Sequence, residues 1–124
     1  LMTDDLSVFM TDAWVEAAGT QNGAAYQGFP YFLKRAKDNN IPLESVIHKM
    51  TGKTADRFGI KDRGVLKEGG YADVTVFDYD GIEVDPSVPD FTPGGIKHVY
   101  VNGTAAVKDG VYVTQHAGRI VLRK

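Results

Sequence analysis

Asp12 closes the run Leu6-Ser7-Val8-Phe9-Met10-Thr11, an apolar climb that ends on a single acid. An aspartate at a strand tip has two uses. It can turn the chain or cap the next element by hydrogen bonding to nearby backbone N–H groups. It can also serve as a general base, because in barrel folds the strand tips face the active site and can hold an acid beside a metal-bound water. Position alone leaves both open.

The other residues that could do chemistry are sparser. His48, His98 and His116 are the three histidines, and no two stand at the i, i+2 or i, i+4 spacing that places two imidazoles on one metal from one element. A catalytic zinc takes three protein ligands, so these residues do not make a complete site. Neither a G-x-S-x-G elbow nor a phosphate-binding glycine loop occurs, and Ser7, Ser45 and Ser87 are isolated. Tyr26, Phe29, Tyr31 and Phe32 surround Pro30, an arrangement that packs a core by default and can also wall a pocket.

The elements that must carry these residues change period along the chain. "DLSVFMT", Asp5 to Thr11, reads as a strand, and "AAGTQNGAAYQG" after it reads as a loop. Pro30 is placed to open a helix, with Phe32, Leu33 and Ala36 on one face and Asn39-Asn40 at its end. Pro42 opens a second helix, whose Leu43, Val46, Ile47 and Met50 fall at i, i+3, i+4, i+7; Thr51-Gly52 breaks it. A short third helix, "KTADRFG", stops at Gly59. Beyond Val65 the pattern is of strands. Gly69-Gly70 turns into "ADVTVFD", with Val74 and Val76 expected on one face, and the stretch holding Pro86, Pro89 and Pro93 is a loop. The segment from Ile96 to Thr114 reads as an antiparallel meander turning at Asn102-Gly103 and Asp109-Gly110.

Composition sets the outer bounds. A chain of 124 residues, 43% hydrophobic and 24% charged, is one domain's worth of globular protein. A net charge of −2 gives no reason to expect nucleic acid or an anionic membrane as partner. Absence of cysteine excludes disulfides and thiolate metal sites and fits a cytoplasmic protein. No run approaches the roughly 20 apolar residues of a membrane span, and "LMTDDLSVF" lacks the basic start of a signal peptide. The chain opens on Leu1 just before a buried-looking strand, which reads as a piece of something longer.

One passage, "MTGKTADRFGIKDRGVLKEGGYADVTVFD" from Met50 to Asp78, resembles the amidohydrolase superfamily where its barrel runs into a small β-sandwich. The pattern is a helix ending in "MT", an "A-x-x-F-G-I" turn, then "DRG-V-L" and "ADV-x-VFD". Within the superfamily the chain is most similar to the N-acyl-D-amino-acid deacylases, or D-aminoacylases. Its tail, "VNGTAAVKDGVYVTQHAGRIVLRK", also resembles theirs. The resemblance implies an α/β plus β fold: residues 1–62 as the last βα segment of a (β/α)8 barrel, residues 63–124 as C-terminal strands of the sandwich. Asp62 and Arg63 would then fasten the two.

Thr11-Asp12 matches the "S-D" or "T-D" at the end of the family's last barrel strand, although Ala13 stands where glycine is usual. The resemblance therefore implies that Asp12 is the catalytic aspartate, moving a proton from metal-bound water to the leaving amine. It implies a zinc-dependent parent that hydrolyses the amide C–N bond of a small-molecule substrate, an N-acyl-D-amino acid. The family's metal-binding histidines are absent from these residues, so the chain alone is expected to hold no zinc and to be inactive. Its strands, cut from their neighbours, are expected to self-associate. The competing readings are a cyclic amidase of the dihydroorotase or hydantoinase type, and a stand-alone β-rich interaction module in which Asp12 only turns the chain.

Overall fold

Asn22 starts the first helix. A computed structural model describes residues 2–113 and 116–121, and in it the Asn22 side-chain oxygen accepts from the Ala24 N–H at 3.0 Å. That satisfies one of the donors every helix start leaves open. Helix α1 then runs Gly23–Asp38, with Pro30 in its interior rather than at its opening. Pro30 has no N–H to give the preceding turn, a cost the packing of this helix outweighs. Part of the expected loop is thus helix, because an Asn cap and helix-tolerant alanines suffice once the face of Leu33 and Ala36 is buried. Asn39 and Asn40 end it, the latter at positive φ.

Helix α2, Leu43–Met50, follows Pro42, and its stripe packs as the spacing predicts: Val46 is fully buried, and Leu43, Ile47 and Met50 lie against the core. Thr51 separates it from helix α3, Gly52–Arg57, and Gly59 follows at φ +67°. The core joins Phe9, Leu33, Ala36, Val46 and Ile82, with Phe77, Tyr79 and Ile96 packed on its edge. Ile82, from the proline-rich loop, carries the helical part onto the sheet.

The sheet is a four-stranded antiparallel meander in chain order: β1 Val74–Phe77, β2 Ile96–Val101, β3 Thr104–Lys108, β4 Val111–Tyr112. Both tight turns are where the sequence puts them. Asn102-Gly103 and Asp109-Gly110 each have two consecutive residues at positive φ, as a type I′ turn requires. Val74 and Val76 share one face, as expected, but that face is not buried along its length. Val74, Thr75 and Val76 pair in regular register with Tyr100, Val99 and His98, and the register shifts only between Val76 and Phe77; Val74 and Phe77 are half-buried, while Val76 is exposed.

A larger correction concerns Asp5 to Thr11, which forms no strand. Residues 2–3 and 5–6 make turns, and residues 7–12 belong to none of the four strands of the sheet. A strand is defined by its neighbours, and none of the four sheet strands reaches this segment. The ends of the expected elements at Leu1, Thr114 and residues 122–124 lie outside the described residues. Among the described residues no helix is long and apolar enough to cross a membrane.

Candidate functional site

Two lysines pin the approach to Asp12. Lys49, near the end of α2 and beside its core stripe, is 4% exposed; its ammonium donates to the Asp4 carbonyl and, at 2.8 Å, to the Ser7 hydroxyl. Lys53 of α3 donates to the Asp5 carbonyl. A buried ammonium is tolerable only when its protons are taken up, and here the turn before the apolar run takes them. Lys49 stands three residues beyond the buried Val46, so its helical position could have been read from the sequence even though its partner could not.

From there the chain alternates in burial. Phe9 is buried, Met10 exposed, Thr11 half-buried and Asp12 exposed. Phe9 packs against Phe32 of α1 with its ring tilted and 4.5 Å between ring centroids, and Thr11 lies against Gly28 of the same helix. Phe9 and Thr11 thus fix the segment to α1. Asp12 sits at φ +42°, in the left-handed region where aspartate is one of few tolerated side chains. None of the described residues gives it a hydrogen bond or an ion pair, so the carboxylate neither caps α1 nor closes a turn. Asn22 does the capping.

Behind Thr11 lies a cleft of about 360 Å³ lined by Met10, Thr11, Ala24, Gln27, Tyr31 and Pro86 among others. Gln27 was missed by sequence reasoning. It is 4% exposed and holds the proline-rich loop to α1: its amide donates at 2.8 Å to the Asp85 and Val88 carbonyls and accepts from the Asp85 N–H at 2.8 Å. The aromatic group around Pro30 divides. Phe32 packs inward, Tyr31 walls the cleft, and Tyr26 and Phe29 are exposed.

The histidines are dispersed. His48 is exposed on α2, His116 is exposed, and His98 accepts the Asp109 N–H at 3.2 Å on its Nδ1. Among the described residues no three His, Asp or Glu side chains gather where a metal ion could be held.

A second polar cluster links the helices to the sheet. Arg63 donates to Asp73 through Nη1 and to Asn102 Oδ1 at 2.6 Å through Nη2, with its guanidinium 3.9 Å above the Tyr71 ring. The Asn102 N–H donates to Asp73 at 2.8 Å. Burial would raise the Asp73 carboxyl, but the bonds from Asn102 and Arg63 and the Arg63 charge outweigh it and hold it below its ordinary value. Asp62, expected to share this fastening, instead pairs its carboxylate with Lys67 at 2.8 Å; only its carbonyl reaches forward, to the Tyr71 N–H.

Against this geometry stand the likenesses to known proteins. The profile of the amidohydrolase family matches residues 1–107. D-aminoacylase of Alcaligenes xylosoxydans xylosoxydans is 42% identical over 99 residues, covering 77% of this chain and 20% of that protein. A D-aminoacylase structure concerned with the role of its binuclear metal centre superposes with a TM-score of 0.72 at 40% identity, covering 77% of this chain and 21% of the other. N-acyl-D-glutamate deacylase of Bordetella bronchiseptica, solved with zinc and a phosphonate inhibitor, gives 0.63 at 28% identity over 70% of this chain and 19% of its own. The chain thus spans about a fifth of the length of the relatives it matches.

Proposed function

Because the chain belongs to the amidohydrolase family, we propose that the protein containing it hydrolyses the amide C–N bond of an N-acyl-D-amino acid. The observation that carries this reading is the 42% identity to D-aminoacylase over 77% of the chain. In this reading residues 1–62 belong to a (β/α)8 barrel, residues 63–124 to a β-sandwich, and α1 is the helix that follows the last barrel strand. Such a strand would need neighbouring strands on either side of residues 8–12, which the sheet of residues 74–112 does not supply. The whole enzyme carries a metal, zinc by the example of the Bordetella bronchiseptica deacylase. This chain alone is inactive, and the cysteine-free composition suits a cytoplasmic enzyme.

Asp12 supplies the proton-transferring carboxylate. It takes a proton from the water whose oxygen attacks the acyl carbon, and returns it to nitrogen as the C–N bond breaks. The products are a carboxylate and a free D-amino acid. Its exposure and its lack of a described partner support this role, since a carboxylate spent on capping or pairing is not available to move a proton. The test is the full-length enzyme assayed on N-acetyl-D-alanine, its L enantiomer and dihydroorotate. Hydrolysis of the D substrate alone is expected, with Asp12→Asn lowering kcat roughly 10²- to 10⁴-fold at unchanged folding. Turnover of dihydroorotate instead would select the cyclic-amidase reading, and full activity of Asp12→Asn would remove the Asp12 carboxylate from the reaction.

A further inference from the structure

Gly28 lies inside α1, where glycine is a poor helix former and alanine a good one. Its φ is not positive, so backbone freedom does not explain it. Thr11 does. A methyl group on Gly28 would stand 2.5 Å from Thr11 Cγ2 and 3.4 Å from Thr11 Cβ. The first distance is far inside van der Waals contact. Threonine is branched at Cβ and stiff at χ1, so the side chain cannot simply swing away. The missing methyl is a notch in the helix, and Thr11 occupies it.

The notch belongs to a register. Ala24, Gly28 and Phe32 are spaced at i, i+4, i+8 and share one face of α1. Phe9 packs on Phe32 at one level, and Thr11 enters the notch one turn nearer the helix start. Four helical residues rise about 6 Å, and two residues of extended chain advance nearly the same distance. Two contacts therefore match in spacing and fix where the chain arrives. The next residue is Asp12.

We propose that Gly28 is a positioning residue for the reaction: through the notch that receives Thr11, it sets the location of the Asp12 carboxylate. The inference rests on the reading of Asp12 as the proton-transferring group. Filling the notch displaces Thr11 by an amount on the order of 1 Å, and a misplacement of that size can cost about 10²-fold in rate. Substrate binding elsewhere is untouched, so the loss falls on kcat more than on KM.

The experiment is a double-mutant cycle in the full-length enzyme with N-acetyl-D-alanine, with melting temperatures measured alongside. Gly28→Ala is expected to lower kcat roughly 10- to 100-fold with little change in KM. Thr11→Ser removes Cγ2 and keeps the hydroxyl; combined with Gly28→Ala, it is expected to restore most of the lost kcat, because the new methyl then fills the space the old one left. Non-additive recovery is the signature. Asp12→Asn in the same series separates the two readings. If Asp12→Asn is inactive but Gly28→Ala retains its kcat, or the double variant is no faster than Gly28→Ala, the positioning role is wrong and the Asp12 reading stands. If Asp12→Asn is fully active, both fall. Should Gly28→Ala fail to fold, the double variant must still fold and turn over; a double variant that does neither also overturns the proposal.

Discussion

Asp73 and Arg63 form an ion pair whose consequence is a pH dependence. The Asp73 carboxyl is held below its ordinary value in the folded chain by the Asn102 amide and Arg63, against the opposing effect of burial. A carboxyl with a depressed folded value binds its proton less readily folded than unfolded. Its contribution to stability is therefore complete above the unfolded value of about 3.9, and is lost as pH falls through the lower folded value. Asp73 is about a third exposed (side-chain exposure 32%), so solvent screening keeps the contribution small. Asp73→Asn is expected to cost about 1 kcal/mol at neutral pH. The melting temperatures of the two chains should converge on acidification below about pH 4. A gap that stays constant with pH would mean that the ionised form is not what Arg63 and Asn102 hold. Arg63→Lys should not restore what Arg63→Ala loses, because one ammonium cannot reach Asp73 and Asn102 in a fixed fork while lying flat on Tyr71.

Among the elements, Gln27 couples α1 to the loop between β1 and β2. Replacing it with leucine leaves the Asp85 N–H and two carbonyls without their buried partner, a loss of roughly 1–3 kcal/mol. Hydrogen exchange should report it locally, with the Asp85 amide speeding up well before those of α2; equal protection in the two chains would put the loop's anchor elsewhere. Legibility in the sequence tracks the range of the interactions. Helix α2 and both hairpins were legible because a stripe at Leu43, Val46, Ile47 and Met50, and the pairs Asn102-Gly103 and Asp109-Gly110, encode their structure within a few residues. The start of α1 was not, since "GAAYQG" is loop-like until Asn22 caps it and Gln27 is covered by a loop 58 residues away. The segment before Asp12 differs from its pattern for a related reason: its alternation is that of a strand, but a ladder needs a neighbour. Asp12 itself stands out by its place at the end of an apolar run, whereas the Thr11–Gly28 notch depends on a helix packing that no local pattern announces.

For the whole chain, surface area is the deciding quantity. A compact protein of 13.5 kDa is expected to expose about 6,500 Å². This one exposes 8763 Å², roughly a third more. Exposed apolar side chains contribute to it: Leu6 is 87% exposed, Met10 65%, Trp14 60% and Val15 68%, all within the segment around Asp12. Val111 and Tyr112 add to it on the last strand of the meander, which has no partner on its outer side among the described residues. The surplus is larger than the roughly 1,600 Å² buried in a standard protein–protein interface, and an open strand edge recruits strands. The isolated chain is therefore expected to associate in solution, most simply as a symmetric dimer that covers the bare face from Leu6 to Val15. Light scattering across the micromolar range should give twice the chain mass. Leu6→Lys together with Met10→Lys should return it toward the monomer, since each places a charge where the partner's apolar surface would sit. Val111→Lys is the control for the other site. If it alone dissociates the dimer, the sheet edge is the contact and the face beside Asp12 stays open; a stable monomer of the unaltered chain at every concentration would show that neither surface is self-complementary.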